Sequence, residues 1–113
     1  MLKEYIRDNY KRPYGCMVAT SVYLNSNVEV INIGVSVCNI QDTNNWNNKV
    51  ATEIAYFRAS TPSHGVKLAT YRLVNNGNLS FYHSTKNQVE RFVQRCRAYY
   101  KDKLILAPNI EWY

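Results

Sequence analysis

Histidine is scarce in this chain, with only His64 and His83 among 113 residues. They are not at metal-ligand spacing, and no GxSxG or phosphate-binding GxxxxGK[ST] motif occurs. The four glycines, Gly15, Gly34, Gly65 and Gly77, are isolated, which removes a Gly-rich phosphate cradle. Acidic residues number eight, are scattered, and offer no carboxylate pair for general acid–base work. The three cysteines, Cys16, Cys38 and Cys96, cannot all pair with one another, and none sits in a CxxC or Cys/His cluster. They fall at apolar-periodic positions and read as reduced core thiols, so the expected compartment is the cytosol. No apolar run approaches the roughly 18 residues that a membrane span needs. The mixed-charge start Met1-Leu2-Lys3-Glu4-Tyr5 does not read as a secretory leader. Cys38 with His83 is the one conceivable nucleophile–base pair, and a core thiol beside a surface imidazole is the simpler reading. The chain is therefore read as a non-enzyme, with no cofactor and no metal.

What is present is cationic and rich in tyrosine and asparagine. Lys and Arg total 14 against the eight acids, for a net charge of +6. There are ten tyrosines and fourteen asparagines. The length fits one domain, 1–113, which buries roughly two-thirds of its unfolded surface without disulfides.

Hydrophobic periodicity gives the element order. Residues 1–15 form a basic aromatic arm, with Tyr5, Arg7, Tyr10, Lys11, Arg12 and Tyr14, and a helical turn is expected within Leu2–Asn9. Residues 16–24 and 28–38 read as strands joined by the Asn-rich loop 25–27. Val28 and Val30 fall on the opposite parity from Ile31, Ile33, Val35 and Val37, which implies a bulge or burial on both sides. Gly34 weakens its strand unless something approaches its backbone closely. Asp42-Thr43-Asn44-Asn45 starts a helix running to about residue 59, with Trp46, Val50, Ile54 and Phe57 as its core stripe. Residues 68–74 and 79–83 flank the turn signal Asn75-Asn76-Gly77-Asn78 as a second hairpin. Ser84 then caps a helix over about 85–101, with Val89, Phe92, Val93, Cys96 and Tyr100 inward. The apolar tail 104–113 is expected to dock on its own sheet or on a neighbouring subunit. The predicted fold is α+β: an antiparallel sheet of four to five strands in two hairpins, two helices on one face, order ββαββα plus the tail.

The candidate site is cationic. Arg91 and Arg95 are spaced i, i+4 off the apolar stripe, where like charges cost a few tenths of a kcal/mol when exposed. An anion held between two guanidinium forks reverses that sign. Phe81 runs into the expected helix start at Ser84, whose free N–H groups favour an anion, and Asn87 lies in the first turn. Arg58 closes the first helix beside Phe57. Arg58 complements the helix dipole there, and a solvated face accounts equally well for the Arg91–Arg95 pair.

Gly34-Val35-Ser36-Val37-Cys38-Asn39-Ile40-Gln41-Asp42, followed by Ala51…Ile54-Ala55…Arg58-Ala59, resembles a pattern in small phage proteins. Over about residues 33–59 the chain is similar to the first family of anti-Thoeris sponge proteins. Lys49 departs from the pattern, standing where such proteins often have Gly. The resemblance implies an oligomeric α+β protein that binds cyclic ADP-ribose-type signals or cyclic oligonucleotides without cleaving them, in the host cytosol. It also implies Arg91, Arg95 and Phe81 as ligand contacts, with Arg58 and Asn87 as weaker matches. The alternative reading, carried by the basic aromatic arm, is a nucleic-acid-binding or protein-binding inhibitor of a host defence nuclease complex.

Overall fold

The computed structural model describes residues 1–38, 46–61, 73–74, 79–108 and 110–111, and the structural statements below concern those residues. Strands β1 (Leu2–Arg7), β2 (Pro13–Asn25) and β3 (Val28–Val37) form an antiparallel sheet in the order β1-β2-β3. Helix α1 (Asn48–Ser60) follows, then β4 (Leu73–Val74), helix α2 (Leu79–Tyr99) and β5 (Ile110–Glu111). The two short strands β4 and β5 pair in parallel. The class is α+β, but the described residues give a three-stranded sheet with a separate two-stranded pair, in place of four to five strands in two hairpins.

The arm is the first correction. Leu2–Arg7 is a strand, not a helical turn, and it hydrogen-bonds β2 along the register Leu2↔Ala19 to Arg7↔Pro13. Its alternation is masked in the sequence because Glu4 stands on the inward parity with Leu2 and Ile6. The β2–β3 hairpin is as expected, closed at Asn25↔Val28, with the Asn25 side chain accepting from the Asn27 N–H at 2.9 Å. The register shift falls between Tyr23 and Asn25 rather than near Val30.

The second correction concerns layers. The helices do not share a face; they cover opposite faces of the sheet. Met17, Ala19, Ile31, Ile33, Val35 and Val37 pack with Val89, Phe92, Val93 and Cys96 of α2. Cys16 and Val18, of the other parity, pack with Ala51, Ala55 and Ala59 of α1. The parity conflict around Val30 is thereby explained, since β3 is buried on both sides from Val30 to Val37.

The phase of α1 is the third correction. Ala51, Ala55 and Ala59 face the sheet, while Val50 and Phe57 are 48% and 69% exposed. The cause is at Gly34. A Cβ there would lie 2.0 Å from the Ala55 carbonyl oxygen and 2.4 Å from the Ala59 nitrogen. The helix backbone thus rests almost on the strand, and only alanine fits the seam. Asn32, buried, donates its Nδ2 hydrogens to the carbonyl oxygens of Ala59 at 2.8 Å and Thr61 at 3.3 Å. It satisfies acceptors that the helix end leaves open. At the other end Asn47 is the N-cap, accepting from the Lys49 and Val50 N–H groups. The expected start at 42–45 lies outside the described residues.

Helix α2 keeps its predicted stripe, but it begins at Leu79, so residues 79–83 are helical and no strand. Thr85, expected in the first helical turn, is fully buried mid-helix and shares a 2.7 Å hydrogen bond with the Tyr14 hydroxyl on β2. The described part of the tail packs on its own chain. The Ile31 N–H donates to the Leu104 carbonyl at 2.7 Å, the Leu106 N–H donates to the Ile31 carbonyl at 2.9 Å, and Ile110 is fully buried. Among the described residues no helix is long and apolar enough to cross a membrane.

Gly34→Ala is expected to destabilise the fold by about 3 kcal/mol or more, because the added methyl meets backbone that cannot rotate aside. Chemical denaturation measures this, while Ser21→Ala, at an exposed position of β2, serves as the comparison. The thiols are expected to be inert while the protein is folded. Burial pushes Cys16 above its ordinary value and Cys96 up to about 11. Thiolate is the reacting form, so Ellman's reagent at mildly alkaline pH should react with Cys16 and Cys96 only after denaturant is added.

Candidate functional site

The site residues are distributed by the two-sided packing. Arg91 and Arg95 sit on α2 and face outward beside the edge strand β1. Together with Glu4, Tyr5, Met17 and Gln88 they line a cleft of about 190 Å³. Arg91 also lines a larger, open cleft of about 720 Å³, whose other described lining residues are Asn87, Glu90, Val93, Gln94 and Arg97. Arg91, Arg95 and Asn87 are thus on one helix face. Phe81 lies by its backbone in the first turn of α2. Arg58 is elsewhere, on the α1 side of the sheet, where its Nη1 donates to the Val35 carbonyl oxygen at 2.6 Å. That bond ties the last turn of α1 to β3, a structural task.

The helix-start anion site at Ser84 does not survive. With α2 beginning at Leu79, the N–H groups of residues 84–87 lie inside the helix rather than at its open end. Asn87 contributes its side-chain amide to the larger cleft instead.

Two partners were not visible in the sequence. Glu4 faces α2 and places its carboxylate 3.5 Å from Arg95. Both groups are about half exposed, so the pair contributes at most about 1 kcal/mol. Gln88 turns its carboxamide onto the open edge of β1. It accepts from the Arg7 N–H at 2.8 Å and donates to the Arg7 carbonyl at 2.8 Å, as a neighbouring strand would. This clamp ties β1 to α2, and Gln88 also lines the smaller cleft. The only sequence signal for it is that Gln88 precedes Arg91 and Arg95 on their helix face; its partner is 81 residues away.

The cations are not spread evenly. Residues 1–12 and 79–103 hold ten of the 14 Lys and Arg but only four of the eight acids, so the whole excess charge lies on β1, its turn and α2 with the short turn after it. Arg91 is exposed and makes no hydrogen bond or ion pair among the described residues. Among those residues no cluster of three or more His, Cys, Asp or Glu is placed to hold a metal ion.

Two further acids, Asp8 and Glu29, are held by neighbouring donors. At Asp8, burial raises the carboxyl value. The backbone N–H groups of Arg12 and Tyr10 and the Arg12 guanidinium outweigh it and hold the carboxyl below its ordinary range. Glu29 is lowered chiefly by Lys103, then by the Ser21 hydroxyl. A carboxyl whose folded value is depressed stabilises the fold above its unfolded value and loses that contribution as pH falls through the folded one. Stability is therefore expected to hold from neutral pH to about pH 5 and to fall below about pH 4. Asp8→Asn should flatten that acid limb in thermal melts, and an unchanged limb would count against the Asp8 assignment.

Comparison with known proteins adds no name: no family model, no curated protein and no solved structure matches the chain.

Proposed function

We propose that this protein binds a small anionic nucleotide on the outer face of α2 without transforming it. The carrying observation is Arg91, an exposed guanidinium with no partner among the described residues, common to both clefts. A phosphate placed between Arg91 and Arg95 would accept from two forks and relieve their mutual repulsion. It would compete with Glu4, whose exposed pairing with Arg95 is weak. The smaller cleft has room for little beyond a phosphate. The larger cleft falls within the volume range of small-molecule sites and offers the amides of Asn87 and Gln94 to a base or ribose.

The resemblance over residues 33–59 supplies the setting. In this reading the protein is a phage counter-defence sponge, acting as a homo-oligomer in the host cytosol on a cyclic ADP-ribose-type or cyclic oligonucleotide signal. Sequestration needs stoichiometric affinity and no catalytic group, which agrees with a chain poor in histidine and paired acids.

A thermal-shift screen against cyclic oligonucleotides and ADP-ribose derivatives tests the reading. A ligand at 100 times its Kd stabilises by about 2.7 kcal/mol, which raises the Tm of a domain this size by roughly 10 °C. Arg91→Ala and Arg95→Ala should each remove most of that rise and leave the ligand-free Tm nearly unchanged. Arg58→Ala should instead lower the ligand-free Tm. Ligand recovered after denaturation should be intact; a cleaved product, or a full shift in Arg91→Ala, would overturn the proposal.

A further inference from the structure

The pleat of β1 sorts its charges. Successive side chains of a strand point to opposite faces, so Lys3, Tyr5 and Arg7 share one face while Leu2, Glu4 and Ile6 turn toward α2. Lys3 and Arg7 both lie over the Tyr5 ring, at 5.4 and 5.7 Å from its centroid. Trp46 meets the same ring edge-on at 6.3 Å. The one acid of the strand is on the other side.

The strip continues into the β1–β2 turn, which is built to hold one shape. Asp8 Oδ1 accepts from the N–H groups of Tyr10 and Arg12, both at 2.9 Å, and Oδ2 accepts from Arg12 Nε at 3.1 Å. Arg7 Nη1 donates to the Lys11 carbonyl at 2.8 Å. Lys11 itself takes a positive φ of 64°, a conformation that a lysine adopts at a cost. Tyr10 stands 80% exposed with the Arg12 guanidinium 5.2 Å from its ring. The turn's acid spends both carboxylate oxygens on the turn's own donors.

We infer that this face of β1 and its turn, from Lys3 to Arg12, is a binding track for single-stranded nucleic acid, distinct from the Arg91 clefts. Aromatic rings alternating with cations supply what such a strand needs: faces for unstacked bases and charges for the phosphates between them. Duplex bases are stacked on one another and present no face to Tyr10. The fixed turn lowers the ordering cost of binding. The inference does not rest on the nucleotide reading, since Lys3 and Arg7 are on the opposite face of β1 from Glu4, and none of Lys3, Arg7, Lys11 and Arg12 lines either Arg91 cleft.

Fluorescence anisotropy of the full chain with labelled oligothymidylate of about a dozen nucleotides tests it. Affinity should fall with salt, with a log–log slope of about −3 for contacts from Lys3, Arg7, Lys11 and Arg12. Tyr10→Leu should weaken binding about fivefold or more at an unchanged slope, and Tyr10→Trp should restore it. Lys11→Gln should reduce the slope by about 0.7. Arg91→Ala should leave oligonucleotide binding intact, and Tyr10→Leu should leave the nucleotide thermal shift intact, so the two readings fail separately. Equal affinity for duplex DNA, equal binding by Tyr10→Leu, or preference for phosphatidylserine vesicles over oligothymidylate would overturn the inference.

Discussion

The contact on which this fold depends is the seating of α1 on Gly34. A helix normally stands off a sheet by the length of its side chains. Here the absence of a Cβ on β3 and three alanines at four-residue spacing let the two backbones meet. At that separation the helix end is within reach of strand side chains and carbonyls. Asn32 then serves the open carbonyls of α1, and Arg58 reaches back to Val35. One small residue thus sets the height of a layer and makes both polar ties across it feasible.

With one face of the sheet filled in this way, the other belongs to α2. The larger side chains are there: Phe92, Val89 and Cys96 against Met17, Ile33 and Val35. Burying a side chain such as Phe92 is worth roughly 1.5–3 kcal/mol, so this layer supplies most of the hydrophobic stabilisation, while the α1 layer contributes close fit. The same arrangement decides where charge goes. Because α2 lies along β1, the outward cations of the helix and the basic residues of the strand and its turn share one flank of the molecule. The strand's pleat then divides them into two groups, one facing the Arg91 clefts and one facing away.

Which parts of this were legible follows from size and distance. The α2 stripe could be read because its inward residues are large and apolar and recur at helical spacing. The phase of α1 could not, because periodicity ranks Val50, Ile54 and Phe57 above alanine, and the steric demand that reverses the ranking comes from Gly34 on another element. A glycine inside a strand signals a close neighbour, and Gly34 has one. The first strand was hidden by Glu4, a charge on the inward parity whose partner, Arg95, is across the chain. The early start of α2 was hidden because Asn78, a good cap residue just before Leu79, also belongs to the turn signal Asn75-Asn76-Gly77-Asn78, and Ser84 and Thr85 imitate a later cap. At the site, the Arg91–Arg95 spacing was visible as a local pattern, whereas Gln88's hold on Arg7 was not, since no short-range rule links residues so far apart.

The amide clamp has a consequence for how copies of this protein meet. An open strand edge invites addition of a further strand and, at high concentration, growth into fibrils. Gln88 occupies the donor and acceptor of Arg7 on one edge, and residues 104–106 occupy those of Ile31 on the other. A foreign strand therefore finds each border interrupted where it would need continuous pairing, and crowded copies are steered toward side-chain contacts instead of an endless sheet.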